Sequence, residues 1–301
     1  MKKRRIIKLT VILASSLALL IPIIAGATVA SFFTGYEIYS DVKYGDKAAN
    51  VMDIYMPSEA YERESNGCVL FIHGGSWIGG DKADEAARCQ ILASRGYIAA
   101  TMNYTLWSED VADEYTVSTV LDEIDLALSA IKEFSAQKGV KIDKAATAGY
   151  SAGAHLSMLY SFSKSDTAPV EIVFSANLAG PADICTEIWG EDMTLTIAKI
   201  LTGEDISAQM LESGAADELL KSISPVYYID EKTPPSIIMQ GGKDNIVPPD
   251  NADSLVEKFT QSGVTYDYVY LNRSDHSLAQ NPLKHMRFFK ILAEYCEKYF
   301  A

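Results

Sequence analysis

Gly149-Tyr150-Ser151-Ala152-Gly153 joins the short apolar run KAATAGY at 144–150 to the segment AGAHLSMLYSF at 152–162. The first reads as a buried strand and the second as a helix. A G-x-S-x-G pentapeptide at such a junction predicts a sharp turn with the serine at its apex. Only very small residues fit on both sides of that turn. The strained serine stands clear of the sheet, and the helix behind it points its positive N-terminus at the same place.

Working outward, strand-like segments lie at 38–44, 50–56, 68–73, 97–102, 145–150, 171–178, 236–241 and 266–271. Runs such as CVLFIH and SIIMQ are continuously apolar, which suits strands buried on both faces of a parallel sheet. Helical patterns fall at 83–95, 117–137, 152–162, 250–262 and 282–300. No helix separates the first two strands, so they are expected to form an antiparallel hairpin at one edge. From residue 68 onward strands and helices alternate. The expectation is an α/β chain with a doubly wound, mostly parallel, eight-stranded sheet. Residues 181–233 separate two strands by far more than an ordinary crossover needs, and are expected to form a small helical cap.

Residues 1–33 differ in composition from the rest. Lys2, Lys3, Arg4, Arg5 and Lys8 make a basic start, and 25 uncharged residues follow from Leu9 to Phe33. The segment reads as either a secretory signal peptide or a membrane anchor. Both readings place residues 34–301, expected to form a single domain, outside the cytoplasmic membrane. The whole chain holds 26 basic and 40 acidic residues; residues 34–301 keep 21 of the basic ones and all 40 acidic ones. So acidic a surface argues against nucleic acid or anionic lipid as partners. Cys68, Cys89, Cys185 and Cys296 have no metal-ligand spacing, and the first two and the last sit in apolar elements as expected core thiols.

Serine needs a base to take its proton and an acid to orient that base. Only four histidines are present. His73 precedes a Gly-Gly turn, His155 lies one helical turn past Ser151, and His285 lies inside the final helix. His276, in a polar loop after the last strand, is the candidate base. Asp244, just past the strand SIIMQ, is the candidate acid, with Asp275 and Asp183 as rivals. The loop after the strand CVLFIH, with Gly74, Gly75 and Ser76, offers backbone N–H groups to a negative oxygen, and Ala152 N–H offers another. Trp77, Tyr104, Trp107 and Tyr150 fall near the site in chain order, either to meet a sugar or phenol or to pack the core. No metal or organic cofactor is implied.

HGGSW at 73–77, GYSAG at 149–153, GGKDNIVP at 241–248 and SDHS at 274–277 together resemble the α/β-hydrolase esterases related to hormone-sensitive lipase. The opening YSDVKYGDKAANVMDIYMP followed by HGGSWIGGDK is similar to the branch with feruloyl and acetyl xylan esterases (BD-FAE-like). The resemblance covers about residues 38–300. It implies an α/β-hydrolase fold and an ester hydrolase acting on small-molecule or glycan esters. Ser151 would be the nucleophile, His276 the base and Asp244 its partner, in the chain order of that fold. Gly75, Ser76 and Ala152 would supply the oxyanion N–H groups. Ser76 stands where many relatives have a third glycine, which narrows the pocket. Ala154 replaces a common glycine. The alternatives are a serine peptidase of the prolyl-oligopeptidase kind, whose usual β-propeller has no room here, and a non-catalytic hydrolase-fold binding module.

Overall fold

A computed structural model describes residues 35–111 and 115–301. Eight strands form one sheet: β1 (Tyr36–Lys43), β2 (Val51–Pro57), β3 (Asn66–Ile72), β4 (Ile98–Met102), β5 (Ile142–Tyr150), β6 (Glu171–Leu178), β7 (Ser236–Gly241) and β8 (Tyr266–Leu271). Their order across the sheet is β1-β2-β4-β3-β5-β6-β7-β8. β1–β2 and β2–β4 pair antiparallel, and every later pair is parallel. This is the α/β-hydrolase arrangement expected from the sequence. β3 and β5 start a few residues before their apolar runs, because polar residues such as Asn66 and Asp143 open them.

β3 shows how the sheet acquires two cores. Its residues are all buried, and alternate side chains point to opposite faces. Cys68, Leu70 and Ile72 pack into one apolar cluster and Val69 and Phe71 into the other. The helices α2 (Val117–Gln137) and α3 (Ala152–Ser163) cover the first face. The helices α1 (Ala86–Ala93) and α9 (Pro282–Tyr299) cover the second. α8 (Asp250–Ser262) packs its Leu255 and Phe259 against Met158 and Phe162 of α3. The pattern expected as one helix over 83–95 is a 3-10 turn, Lys82–Glu85, capped by Asp81, followed by the shorter α1.

Chain order reverses direction between β4 and β5. The chain runs outward from β3 to β4, then crosses back to the other side of β3. At such a switch point the loops leaving adjacent parallel strands diverge and open a crevice at their C-terminal ends. Here those strands are β3 and β5, which end at Ile72 and Tyr150, just before His73 and Ser151. Between β6 and β7 the chain forms α4 (Thr186–Trp189), α5 (Glu191–Thr202), α6 (Ala208–Glu212), α7 (Asp217–Ser222) and a 3-10 turn, Pro225–Tyr228. Ile197, Ala198 and Leu201 of α5 are buried with Ile223 in the cluster that also holds Trp77 and Tyr104. The signal-peptide or anchor segment, 1–33, lies outside the described residues. Among the described residues no helix is long and apolar enough to cross a membrane.

Candidate active site

Ser151 occupies the apex between β5 and α3 with φ 54° and ψ −122°. A residue with a Cβ pays roughly 1–3 kcal/mol for such a conformation, so its surroundings must hold it. Its N–H donates to Leu178 O at 2.9 Å, and its carbonyl accepts from His155 N at 3.0 Å. The flanking glycines are explained by close approach. A Cβ on Gly149 would lie 2.4 Å from the Gly153 carbonyl carbon, and one on Gly153 would lie 2.0 Å from Ile72 O. The turn therefore packs on itself and on the end of β3.

Loops from β7 and β8 deliver the partners. His276 Nε2 lies 3.0 Å from Ser151 Oγ, and His276 Nδ1 lies 2.8 Å from Asp244 Oδ2. A carboxylate only accepts, so Nδ1 carries the ring proton and Nε2 is free to accept from the serine. The Asp244 side chain has no solvent exposure. Its Oδ1 accepts from Ile246 N and Val247 N, both at 2.9 Å, and its Oδ2 accepts also from Gln240 Nε2 at 3.1 Å. Ser151 as a residue is 8% exposed.

The rival acids lie elsewhere. Asp275 accepts from the Ser277 hydroxyl at 2.6 Å and Gln280 Nε2 at 2.7 Å, and the Ser277 hydroxyl chiefly holds its carboxyl below the usual range. Asp183 makes no bond to His276; burial raises its pKa, and its Oδ1 has no partner among the described residues. His73 and His285 also lie away from the serine hydroxyl and make no bond to it. Burial lowers the pKa of His73, whose Nδ1 donates to Gly74 O at 2.7 Å and whose ring stacks on Tyr104. Burial chiefly, and Arg88 with it, lowers that of His285.

The loop after β3 comes up against the serine. A Cβ on Gly74 would lie 3.2 Å from Ser151 Cβ, so Gly74 supplies space. Gly75, at φ +121°, turns the chain, and its carbonyl accepts from Ile78 N and Gly79 N at 3.0 Å. The N–H groups of Gly75, Ser76 and Ala152 donate to no described residue. Ala152 opens α3, where the first amides have no helical partner. The site thus combines a serine, an oriented imidazole and free amide donors, the parts needed for acyl transfer.

Two of the aromatic residues belong to the core. Trp77 and Tyr104 are 4% and 1% exposed, and the Tyr104 hydroxyl donates to His73 O at 3.1 Å. Tyr150 is half-buried beside the base. Its hydroxyl donates to His276 O at 2.8 Å, and its ring lies 5.1 Å from the imidazole with Arg88 5.6 Å away. Gln240, which holds Asp244, was not singled out from the sequence. The available signal was a polar residue closing the apolar run SIIM. All four cysteines are free thiols; Cys68, Cys89 and Cys296 are buried, and burial pushes Cys185 up to about 11. Among the described residues no group of three His, Cys, Asp or Glu side chains is placed to hold a metal.

Known proteins share this architecture. A truncated carbohydrate esterase from gut microbiota superposes with a TM-score of 0.72 at 15% identity, over 88% of this chain and 98% of its own. The Est2 esterase of Thermogutta terrifontis superposes at 0.68 with 18% identity, over 89% of this chain and 95% of its own. In sequence, esterase LipC of Mycobacterium tuberculosis is 23% identical over 235 residues, 72% of this chain and 54% of LipC. The chain thus spans about half the length of that curated relative. The BD-FAE family model matches residues 52–259, from β2 to α8, and takes in the serine turn and Asp244. That match covers more than half of the chain, which belongs to the BD-FAE family of the α/β-hydrolase fold.

Proposed function

We propose that this protein is a serine carboxylic-ester hydrolase acting on short acyl esters, including acetyl or feruloyl esters of polysaccharide. The observation that carries the reading is the line Ser151 Oγ, His276, Asp244, with hydrogen bonds of 3.0 and 2.8 Å. In this mechanism His276 Nε2 takes the hydroxyl proton as Ser151 Oγ attacks the ester carbonyl carbon. Asp244 keeps Nδ1 protonated and stabilises the imidazolium that forms. The oxyanion accepts from the N–H groups of Gly75, Ser76 and Ala152, one such donor being worth roughly 3–4 kcal/mol in the barrier. Collapse breaks the bond to the alcohol, which leaves with the proton from His276. Water repeats the sequence on the acyl-enzyme and releases the acid.

Three observations support the short-acyl reading. Ser76 puts a side chain on the loop beside the nucleophile. The described helices between β6 and β7 are short, the longest being the 12 residues of α5, so they offer little apolar surface to a lipid tail. The acidic surface disfavours anionic lipid. We place the catalytic domain outside the cytoplasmic membrane, tethered or released according to the fate of residues 1–33. Nitrophenyl acetate, butyrate, octanoate and palmitate, with wild type and Ser151→Ala, test the activity. kcat/KM should peak at acetate or butyrate, and Ser151→Ala should lose about 10⁶-fold in kcat. A peak at octanoate or beyond rejects the short-acyl assignment, and an active Ser151→Ala rejects the serine mechanism.

A further inference from the structure

His155 is fully buried, four residues past Ser151, and no step above uses it. Both ring nitrogens are engaged. Trp77 Nε1 lies 3.3 Å from Nδ1, and Ile223 O lies 2.7 Å from Nε2. An indole nitrogen only donates and a carbonyl only accepts, so the tautomer is forced: Nδ1 accepts and Nε2 donates. Burial, with a pKa lowered to about 4, keeps the ring neutral, as that pairing requires.

The residues so joined belong to three parts of the site. His155 sits on the helix behind the nucleophile. Ile223 follows α7 in the segment between β6 and β7. Trp77 is the third of three successive residues with positive φ: Gly75 at 121°, Ser76 at 53° and Trp77 at 62°. Two of these carry a Cβ, so the loop holds its shape only if something outside it over-determines the backbone. The Trp77 indole stands edge-on to the imidazole, with ring centres 5.3 Å apart. Its only polar atom ends on His155 Nδ1.

We infer that His155 is a positioning residue for ester hydrolysis. Its Nδ1 anchors the Trp77 indole and thereby fixes the aim of the Gly75 and Ser76 N–H groups at the oxyanion. The inference rests on the esterase reading. Because those donors engage most strongly in the transition state, loosening them lowers kcat and leaves KM nearly unchanged.

Asparagine and glutamine separate anchoring from space-filling. An asparagine oxygen reaches about where Nδ1 stands, and a glutamine amide nitrogen about where Nε2 stands. His155→Asn therefore keeps the Trp77 acceptor, whereas His155→Gln keeps only the donor to Ile223. Trp77→Phe keeps an aromatic ring but removes the indole N–H. Each variant is assayed on a nitrophenyl ester, with Ser151 titrated by a fluorophosphonate so that kcat refers to competent sites. His155→Gln and Trp77→Phe should lose about tenfold or more in kcat with KM within about twofold, while His155→Asn stays within about threefold of wild type. Equal kcat in His155→Asn and His155→Gln, or wild-type kcat in Trp77→Phe, overturns the inference. If neither His155 variant folds, Trp77→Phe decides alone. Wild type that hydrolyses no nitrophenyl ester overturns the esterase reading instead, and an active Ser151→Ala overturns its serine mechanism.

Discussion

Asp244 accepts four hydrogen bonds, from His276, Gln240, Ile246 N and Val247 N. Buried with that many donors, it is held in one orientation against the imidazole. Asparagine at this position puts an N–H where an acceptor is required and turns the imidazole to the wrong tautomer. Asp244→Asn should therefore lose about 10³–10⁴-fold in kcat. Asp275→Asn, which alters only an exposed loop contact, should lose less than about tenfold. Steady-state kinetics of both variants compares them directly, and the reverse ranking would identify Asp275 as the acid. Chain adjacency distinguished the two acids in the sequence, because a carboxylate next to His276 rarely faces its imidazole, whereas Asp244 comes from the end of another strand at the same sheet edge. Gln240 and the Tyr150 hydroxyl were not legible in the same way. Their partners at Asp244 and His276 are set by how the β7 and β8 loops fold over the sheet.

The β5–turn–α3 unit is where local pattern and tertiary demand agree most closely. The glycines at 149 and 153, the apolar strand and the helix were all visible in the linear order. His155 within α3 also imposes a pH dependence on stability. Its folded pKa of about 4 lies below the unfolded value near 6.5, so between these values the unfolded chain binds more protons. Its contribution is complete above about pH 6.5 and is lost as pH falls toward 4, amounting to about 3 kcal/mol over that window. His73 and His285 are lowered in the same direction, so the total acid sensitivity is shared. Urea unfolding of wild type and His155→Asn from pH 7.5 to 4 should show a shallower loss of stability in the variant. Parallel curves would assign the acid sensitivity to the other histidines.

For the whole molecule, acidic residues outnumber basic ones 40 to 21 over residues 34–301, while the start of the chain is basic. That asymmetry, with the 25 uncharged residues behind it, motivates the placement outside the cytoplasmic membrane. N-terminal sequencing of protein recovered from its host separates the cases. Full-length protein in the membrane fraction supports an anchor, and a start near residue 28 or 31 supports cleavage. Full-length soluble protein in the cytoplasm overturns both.

The number and direction of the strands, the turn at Ser151 and the chemical set Ser151, His276 and Asp244 were determined by the sequence itself. Each is written in local periodicity, in glycine placement or in residue type after a strand. The strand order, with β4 outside β3, was decided by tertiary structure, and so was the meeting of His276 with Ser151 across 125 residues. The same holds for the links from His155 to Trp77 and Ile223, 78 and 68 residues away, and from Tyr150 to His276, 126 residues away. Hydrogen bonds at such separations leave no periodic trace in a chain. They exist only once the packed sheet has brought the loop ends to one edge.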